Sequence, residues 1–313
     1  TMILKPSEVA PLSAIIFSEI LDEAKVPPGV YNMINGDGPT VGEAMSKHKD
    51  IDMMSFTGST RAGIAVAKAS ADSVKRVAQE LGGKSANIIL DDADFNKSVA
   101  GGVGSVFTNS GQSCNAPTRM LVPADRQEEA VAIAKATAEA TVVGNPIDVA
   151  PGGMGPVVSE VQFNKIQGLI EKGIEEGATL VAGGPGKPEG LNAGYFVKPT
   201  VFSDVSNDMT IAREEIFGPV LGVITVNDTE EALKIASNSK YGLHASVFTQ
   251  DIDRAFHMAK SLPCGTVSVN TFSEGDIKTP FGGYKQSGSL SRDQGTEALN
   301  SFLQTKTIWI SHQ

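Results

Sequence analysis

The chain is poor in cysteine and in histidine. Its 313 residues contain two cysteines, Cys114 and Cys264, and no C-x-x-C pair, and its four histidines are scattered without the spacing of a zinc site. These absences argue against a disulfide framework and against a metal centre built from Cys or His, so we expect no metal. Free thiols are typical of a reducing compartment, and we therefore expect a cytoplasmic protein.

Basic residues are outnumbered by acidic ones, with 26 Lys and Arg against 36 Asp and Glu and a net charge of −10. Proteins that bind nucleic acids or anionic membranes need basic patches, so we expect neither partner. The long uncharged stretch Ser98–Thr118 is too rich in Gly, Ser and Asn to span a bilayer. The first residues lack the basic and apolar regions of a secretory signal, and Met2–Leu4 resembles the end of a buried strand. We therefore expect that an N-terminal portion of the domain is absent from this chain.

Strand-like and helix-like patterns alternate from the first residues onward, which predicts an α/β fold with a mostly parallel sheet. The predicted elements that matter below are helices over Ser7–Ala24, Val41–Lys47, Asn96–Phe107 and Thr296–Leu303, strands over Val74–Glu80 and Thr305–Ile310, and a long loop over Phe272–Ser289. Two strand-to-helix turns near the start, Asn35–Thr40 and Thr57–Thr60, contain glycine. Such turns suit phosphate groups because a helix N-terminus has free N–H groups, although most of them are only caps.

Cys114 lies in a polar turn after the predicted buried helix and is flanked by Ser113 and Asn115. A thiol in such a turn is well placed to be a reactive nucleophile. Most free cysteines, however, are small buried hydrophobic residues. This stretch by itself leaves both interpretations open.

Several short motifs follow one another along the whole chain. They are KPSE (Lys5–Glu8), FTGST (Phe56–Thr60), ELGGKS (Glu80–Ser85), GQSC (Gly111–Cys114), EEIFGPV (Glu214–Val220), YGLHASVFT (Tyr241–Thr249), GTVSVN (Gly265–Asn270) and PFGGYKQSG (Pro280–Gly288). In this order they resemble the aldehyde dehydrogenase superfamily. The resemblance implies part of a Rossmann-like nucleotide-binding domain over residues 1–82 and an α/β catalytic domain over 83–284. A return helix and an oligomerisation strand would occupy 285–313, and the chain would correspond to the larger C-terminal part of a homo-oligomeric enzyme, a dimer or a tetramer.

The resemblance also implies catalytic roles. Cys114 matches the nucleophile, whose thiolate adds to the aldehyde to form a thiohemiacetal, which loses a hydride to become a thioester. Glu80 matches the general base that activates the hydrolytic water, although a carboxylate at a strand end is by itself more often a surface residue. The backbone N–H of Cys114 would donate one hydrogen bond to the oxyanion. The family's second donor is an Asn upstream of KPSE, for which this chain offers no counterpart.

The cofactor implied by the resemblance is NAD. The residues that match cofactor contacts are Lys5 and Glu8 for the adenosine ribose, Gly38 for the adenine side, Gly58 and Ser59 for the pyrophosphate, and Glu215 and Phe217 for the nicotinamide ribose and ring. A carboxylate at Glu8 would repel a 2′-phosphate and favours NAD over NADP, although Lys5 nearby could accommodate that phosphate. Without the resemblance, Glu8 would be a helix N-terminal charge and Phe217 a core residue.

The expected activity is oxidation of an aldehyde to a carboxylic acid with NAD(P)⁺. The loop Thr271–Thr279 matches the segment that lines the aldehyde entrance, and it contains one aromatic residue, Phe272, among small or charged ones. A long apolar tunnel would need more apolar side chains, so we expect a short or polar aldehyde, such as a semialdehyde. Two alternatives are a relative that passes the acyl group to CoA and an inactive, truncated subunit with a structural role.

Overall fold

The structure is a computed structural model in which residues 1–312 are described. The strands are β1 (Met2–Leu4), β2 (Tyr31–Met33), β3 (Met53–Thr57), β4 (Arg76–Glu80), β5 (Ala86–Ile89), β6 (Arg119–Pro123), β7 (Thr179–Ala182), β8 (Thr200–Ser203), β9 (Val220–Val226), β10 (Tyr241–Gly242), β11 (His244–Phe248), β12 (Thr266–Val269) and β13 (Tyr284–Lys285). The helices are α1 (Leu12–Glu23), α2 (Glu43–Lys47), α3 (Thr60–Ser70), α4 (Phe95–Phe107), α5 (Gln127–Ala140), α6 (Glu160–Glu175), α7 (Thr210–Arg213), α8 (Thr229–Ser237), α9 (Ile252–Ser261) and α10 (Gly295–Ser301). Within residues 1–312, no helix is long and apolar enough to cross a membrane.

A seven-stranded sheet with the order β12-β11-β5-β6-β9-β8-β7 forms the centre of the fold. Its strands are parallel except for the edge strand β7, which is antiparallel to β8. Successive residues of a strand point to opposite faces, so Met120 and Val122 pack with α4 and α5 while Leu121 packs with α6 and α8 on the other face. Helices thus cover both faces, as the predicted α/β fold with a mostly parallel sheet requires.

Two smaller parallel sheets are built from the first 80 residues. β1 pairs with β2 and β3 pairs with β4, and a helix connects the strands of each pair. β4 receives a further neighbour from the C-terminal part of the chain, because Glu80 pairs with Gly288 in an isolated antiparallel bridge. The end of β4 is therefore held between the N-terminal and C-terminal parts of the chain.

Three element boundaries differ from the sequence predictions for local reasons. α1 begins at Leu12 instead of Ser7, because Pro11 is the N-cap residue and residues 7–10 form a separate turn. A π-helical turn over Gly38–Gly42 precedes α2, so the predicted helix from Val41 is regular only from Glu43. β4 begins at Arg76 because Val74 has a left-handed backbone, with a φ of 54°.

The C-terminal segment also differs from its prediction. The loop Phe272–Ser289 contains the short strand β13, which pairs with β10. Thr305–Ile310 forms no strand among the described residues, and Trp309 is 89% exposed. A strand needs a neighbour to pair with, and no strand of the described chain pairs with this segment. Its pairing with another subunit stays a prediction.

We predict opposite effects for two alanine substitutions in α4. Gly104 is exposed and a Cβ there would meet nothing within 4 Å, whereas a Cβ at Gly102 would overlap the Asn87 amide and lie 2.8 Å from Met120 Cε. Gly104→Ala should raise the free energy of unfolding by about 0.5–1 kcal/mol because it removes backbone entropy from the unfolded chain. Gly102→Ala should lower it by about 1–3 kcal/mol through overpacking. Urea unfolding monitored by circular dichroism measures both, and shifts of equal sign would contradict the described packing of α4.

Candidate active site

The candidate site lies between the carboxyl ends of β3 and β4 and the amino ends of the large parallel sheet. A cavity of about 520 Å³ opens there, lined by Thr57–Ser59 after β3, by Leu81 and Gly82 between β4 and β5, by Gln112–Asn115 before β6, and by Glu215 and Phe217 before β9. Since β5, β6 and β9 are parallel neighbours, the loops before them meet at one edge. The cavity thus gathers residues from motifs that are far apart in sequence.

Three glycines bring these motifs into close contact. A Cβ at Gly83 would overlap the carbonyl oxygen of Cys114, and a Cβ at Gly82 would lie 2.5 Å from Glu215 Oε2. A Cβ at Gly111 would overlap the backbone of Gly218. The segments that carry Glu80, Cys114 and Glu215 are therefore packed backbone to backbone, which only glycine allows at these positions.

Cys114 is half-buried in the turn between α4 and β6 and lines the cavity. Burial, with a smaller contribution from the negative charges of Glu215, Glu274 and Glu80, raises the pKa of its thiol to about 11. Its own backbone N–H opposes this change in pKa. Within residues 1–312 that N–H donates to no carbonyl, so it is free to bind an oxyanion.

Glu80 ends β4 and is only 6% exposed, and neither of its carboxylate oxygens has a hydrogen-bond partner in the described chain. The pKa of this carboxyl is raised to about 8, mainly by burial and also by the charge of Asp293, while the charge of Arg292 opposes the rise. A Cβ at Gly282 would lie 2.7 Å from Glu80 Oε1, so the PFGGYK motif covers the carboxylate directly. Glu80 does not line the cavity itself, but its charge reaches the Cys114 thiol.

The predicted cofactor residues fall into two groups. Gly58, Ser59, Glu215 and Phe217 line the same cavity as Cys114. Ser59 is the N-cap residue of α3 and accepts a hydrogen bond from the Ala62 N–H at 3.3 Å. Glu215 Oε1 accepts a hydrogen bond from the Gly83 N–H at 2.9 Å. This bond connects Glu215 to the segment between β4 and β5.

The second group lies outside this cavity, in the part of the fold formed by β1 and β2. Lys5 Nζ donates to the Gly36 carbonyl at 2.8 Å and lies 3.7 Å from Glu8 Oε2. Gly38 begins the π-helical turn that follows Gly36. The structure therefore brings Lys5, Glu8 and the Gly36–Gly42 segment together, apart from Cys114.

Four neighbours of the site were not identified from the sequence. Asp293 and Arg292 act on Glu80 from the segment before α10. On α6, Gln162 Nε2 donates to the Phe217 carbonyl at 2.8 Å, and Lys165 Nζ donates to the Glu215 carbonyl at 2.9 Å. In the sequence, Gln162 and Lys165 are two polar residues three positions apart on a helix. This spacing is also typical of a solvent-exposed helix face, so only the contacts in the structure identify them as neighbours of the site.

Cys264 belongs to a different place in the fold. With Lys84, His244 and Lys285 it lines a small cavity of about 20 Å³, and its thiol donates a hydrogen bond to the Thr266 carbonyl at 3.3 Å. The side-chain amide of Asn270 makes two hydrogen bonds to the backbone of Thr249. Its Oδ1 accepts from the Thr249 N–H at 3.0 Å, and its Nδ2 donates to the Thr249 carbonyl at 2.9 Å. That pair of bonds gives Asn270 a structural role at the end of β12.

A model of the family described as "Aldehyde dehydrogenase family" matches residues 1–308. The chain belongs to the aldehyde dehydrogenase family. It is 50% identical over 308 residues to the 3-succinoylsemialdehyde-pyridine dehydrogenase of Pseudomonas sp, a match that covers 98% of this chain and 64% of the relative. The resemblance inferred from the motifs is thereby confirmed.

Two solved structures show the same fold. Aldehyde dehydrogenase C of Pseudomonas syringae, crystallised as a mutant with NAD⁺ and octanal, is 50% identical with a TM-score of 0.94, over 98% of this chain and 62% of that one. An aldehyde dehydrogenase of Mycobacterium tuberculosis, in complex with NAD⁺, is 44% identical with a TM-score of 0.93, over 97% and 62%. The chain thus spans less than two thirds of the length of the relatives it matches.

We predict that Glu80 makes stability depend on pH. Its pKa in the folded state, about 8, lies above the ordinary value of 4.5, so its contribution to stability is fully present below pH 4.5 and is lost as the pH rises through 8. Relative to Glu80→Gln, the native chain should lose roughly 2–4 kcal/mol of unfolding free energy over this range. Urea unfolding at several pH values measures the difference. The exposed Glu139→Gln is the matched control and should follow the native curve, and a Glu80→Gln curve parallel to the native one would refute the prediction.

Proposed function

We propose that this chain forms the catalytic centre of an enzyme that oxidises an aldehyde to a carboxylic acid with NAD⁺. The observation that carries the proposal is the arrangement of three groups at one cavity, which two of them line and beside which Glu80 is buried. These are the Cys114 thiol with its free N–H, the buried carboxylate of Glu80, and the pair Glu215 and Phe217. Together they supply a nucleophile, a base and a place for a hydride acceptor.

The residues present fit a dinucleotide. The N-terminus of α3 at Ser59 and the Lys165 ammonium both border the cavity, and each offers positive charge or N–H groups to a pyrophosphate. Gly58 leaves the turn before α3 without a side chain, and a Cβ there would lie 2.6 Å from the Phe56 ring.

Relatives from Pseudomonas syringae and Mycobacterium tuberculosis were crystallised with NAD⁺, which supports the same cofactor here. Glu8, beside Lys5, would favour NAD over NADP. The cofactor, when bound, supplies a hydride acceptor.

The chemistry of acylation falls to Cys114. Its thiol must lose a proton, and the thiolate then adds to the aldehyde carbon to form a thiohemiacetal. The negative oxygen of this intermediate would be stabilised by the Cys114 N–H, which no other residue of the described chain occupies. Loss of the hydride converts the thiohemiacetal to a thioester on Cys114.

Deacylation falls to Glu80. In its charged form this carboxylate can take a proton from water, and the resulting hydroxide attacks the thioester carbonyl, which releases the carboxylic acid and frees the thiol. Burial without hydrogen bonds raises the pKa of Glu80 to about 8, close to the pH at which a general base is most effective. A base placed for water also favours hydrolysis over transfer of the acyl group to CoA.

Assembly is a further part of the proposal. The exposed apolar residues of the C-terminal segment, Ile308, Trp309 and Ile310, support pairing of this segment with another copy of the chain in a dimer or a tetramer. The aldehyde itself is proposed to be short or polar, because the entrance loop Thr271–Thr279 offers only Phe272 as an aromatic residue.

We predict that Cys114→Ser abolishes aldehyde-dependent formation of NADH, and that Glu80→Gln lowers it by roughly 10²–10⁴-fold while a burst of acylation remains. Absorbance at the NADH band measures both, on this chain and on a longer protein that carries the upstream segment implied by the resemblance. Cys264→Ser is the matched thiol control and should keep its activity. If the longer protein makes no NADH with any aldehyde, the proposed oxidation is wrong and a structural role takes its place. If NADH appears only with CoA present, the acyl-transferring alternative holds.

We predict that activity rises with pH through about 8, because Glu80 acts as a base only after it loses its proton. Asp293→Asn removes a charge that raises this pKa, so the rise should move to lower pH. Arg292→Gln removes a charge that lowers the pKa, and the rise should move to higher pH. The pH dependence of kcat under saturating conditions measures these midpoints. Two variants with the same midpoint as the native chain would show that another group limits the rate.

A further inference from the structure

Three cations line the small cavity of about 20 Å³ at the amino ends of β5, β6 and β11, which we call the Lys84 cavity. They are Lys84, Arg119 and Lys285. Arg119 begins β6 and is paired in register with Ala86 of β5, and residues of α8 and the residue after α9 complete the lining. Lys84 and Arg119 are only 3% and 2% exposed. Their charges are therefore held inside the fold.

No acidic side chain of the described residues lines the Lys84 cavity. The other titratable groups of its wall are His244, Tyr241 and Cys264. Burial lowers the pKa of His244 to about 4, and it raises the pKa of the Cys264 thiol to about 11 and that of the Tyr241 hydroxyl above its ordinary value. All three groups are therefore uncharged at neutral pH, and the cations have no counter-charge in the wall of the cavity.

The hydrogen bonds of these cations go to neutral groups. The Arg119 guanidinium donates to three backbone carbonyls, at 3.0, 3.1 and 3.0 Å, and to the side-chain oxygen of Asn207 at 2.9 Å. Lys285 Nζ donates to two backbone carbonyls at 2.8 and 3.1 Å. Within residues 1–312 the Lys84 ammonium makes no hydrogen bond and no ion pair. Lys84 is thus a buried side chain whose donors have no partner in the fold.

Two carboxylates, Glu214 and Glu215, act on Lys84 from outside the cavity. Both have other partners, since Glu214 forms an ion pair with Lys240 at 2.7 Å and Glu215 accepts from the Gly83 N–H at 2.9 Å. The pKa of Lys84 is lowered to about 7, mainly by burial and also by neighbouring cations, although both carboxylates oppose this change. The two carboxylates therefore do not compensate for the burial of the ammonium.

We propose that the Lys84 cavity binds one halide ion, such as chloride. A buried charge is costly unless it is paired, and a monovalent anion would supply the missing partner. A cavity of this volume accepts one particle of the size of a water molecule or a halide, and it is too small for phosphate or sulfate. The Lys84 ammonium would donate to the ion, while Arg119 and Lys285 would add positive charge. The site needs neither aldehyde nor turnover, so it goes beyond the proposed function and is independent of it.

The first test uses bromide, because its anomalous X-ray scattering distinguishes it from water. Crystals soaked in sodium bromide should show an anomalous peak in the Lys84 cavity, within hydrogen-bond distance of Lys84 Nζ. The peak should be absent from Lys84→Met. Lys49→Met, which removes an exposed lysine outside the cavity, is the matched control and should keep the peak.

The second test measures binding in solution. Urea unfolding is followed while sodium chloride replaces sodium gluconate, a bulky anion, at constant ionic strength. The free energy of unfolding of the native chain should rise with chloride and saturate as for a single site, because the ion binds only the folded state. Lys84→Met should raise the half-saturating chloride concentration roughly 10-fold or more, since a hydrogen bond to a charged group is lost. Lys49→Met should follow the native curve. Lys285→Met changes an exposed residue, so it gives a second folded variant with weakened binding if Lys84→Met does not fold.

The outcomes decide between a halide, a water molecule and a general salt effect. An anomalous peak that Lys84→Met abolishes, together with weakened chloride dependence in either cavity variant, supports the proposal. Density without an anomalous signal shows a water molecule only and overturns it, as does a stability that does not depend on chloride. Equal chloride dependence in the native chain, Lys84→Met and Lys285→Met shows a general salt effect and also overturns it. None of these outcomes changes the proposed oxidation, which is measured by formation of NADH.

Discussion

The close approach of three backbones at Gly82, Gly83 and Gly111 is the contact on which the candidate site depends. The segment Leu81–Ser85 leads directly from the end of β4 to the start of β5, so it joins the carboxyl edge of one sheet to the amino edge of another. Its two glycines allow the Cys114 carbonyl and the Glu215 carboxylate to touch the linker. A side chain at either position would push Cys114 or Glu215 away from the segment that follows Glu80.

The sequence was sufficient to predict the class of the fold and to name residues that the structure brings together at the candidate site. Cys114, Glu80, Glu215 and Phe217 lie in or beside one cavity, as their motifs indicate, and the alternating pattern predicts the parallel sheet. Sequence patterns predicted the ends of helices and strands less well, because the backbone conformation of a single residue can determine where an element begins or ends. The left-handed φ of Val74 is one example, since nothing in the surrounding sequence identifies it.

Contacts between distant segments were beyond the reach of sequence patterns. Asp293 and Arg292 act on Glu80 because the chain returns to β4 after the large sheet is complete. Gln162 and Lys165 resemble ordinary polar residues of a helix surface until the structure shows the carbonyls of Phe217 and Glu215 beside them. The C-terminal segment shows the converse limit, since a strand-like pattern forms a strand only when a partner is present.

The carboxylates around Cys114 have a consequence for oxidative damage. A thiol with a pKa of about 11 is almost wholly protonated at neutral pH, whereas peroxides attack the thiolate. Cys114 is therefore protected from oxidation mainly by its burial, and the negative charges of Glu215, Glu274 and Glu80 add to that protection. A positive charge brought close to the thiol would lower its pKa, and Cys114 would then be more open to oxidation.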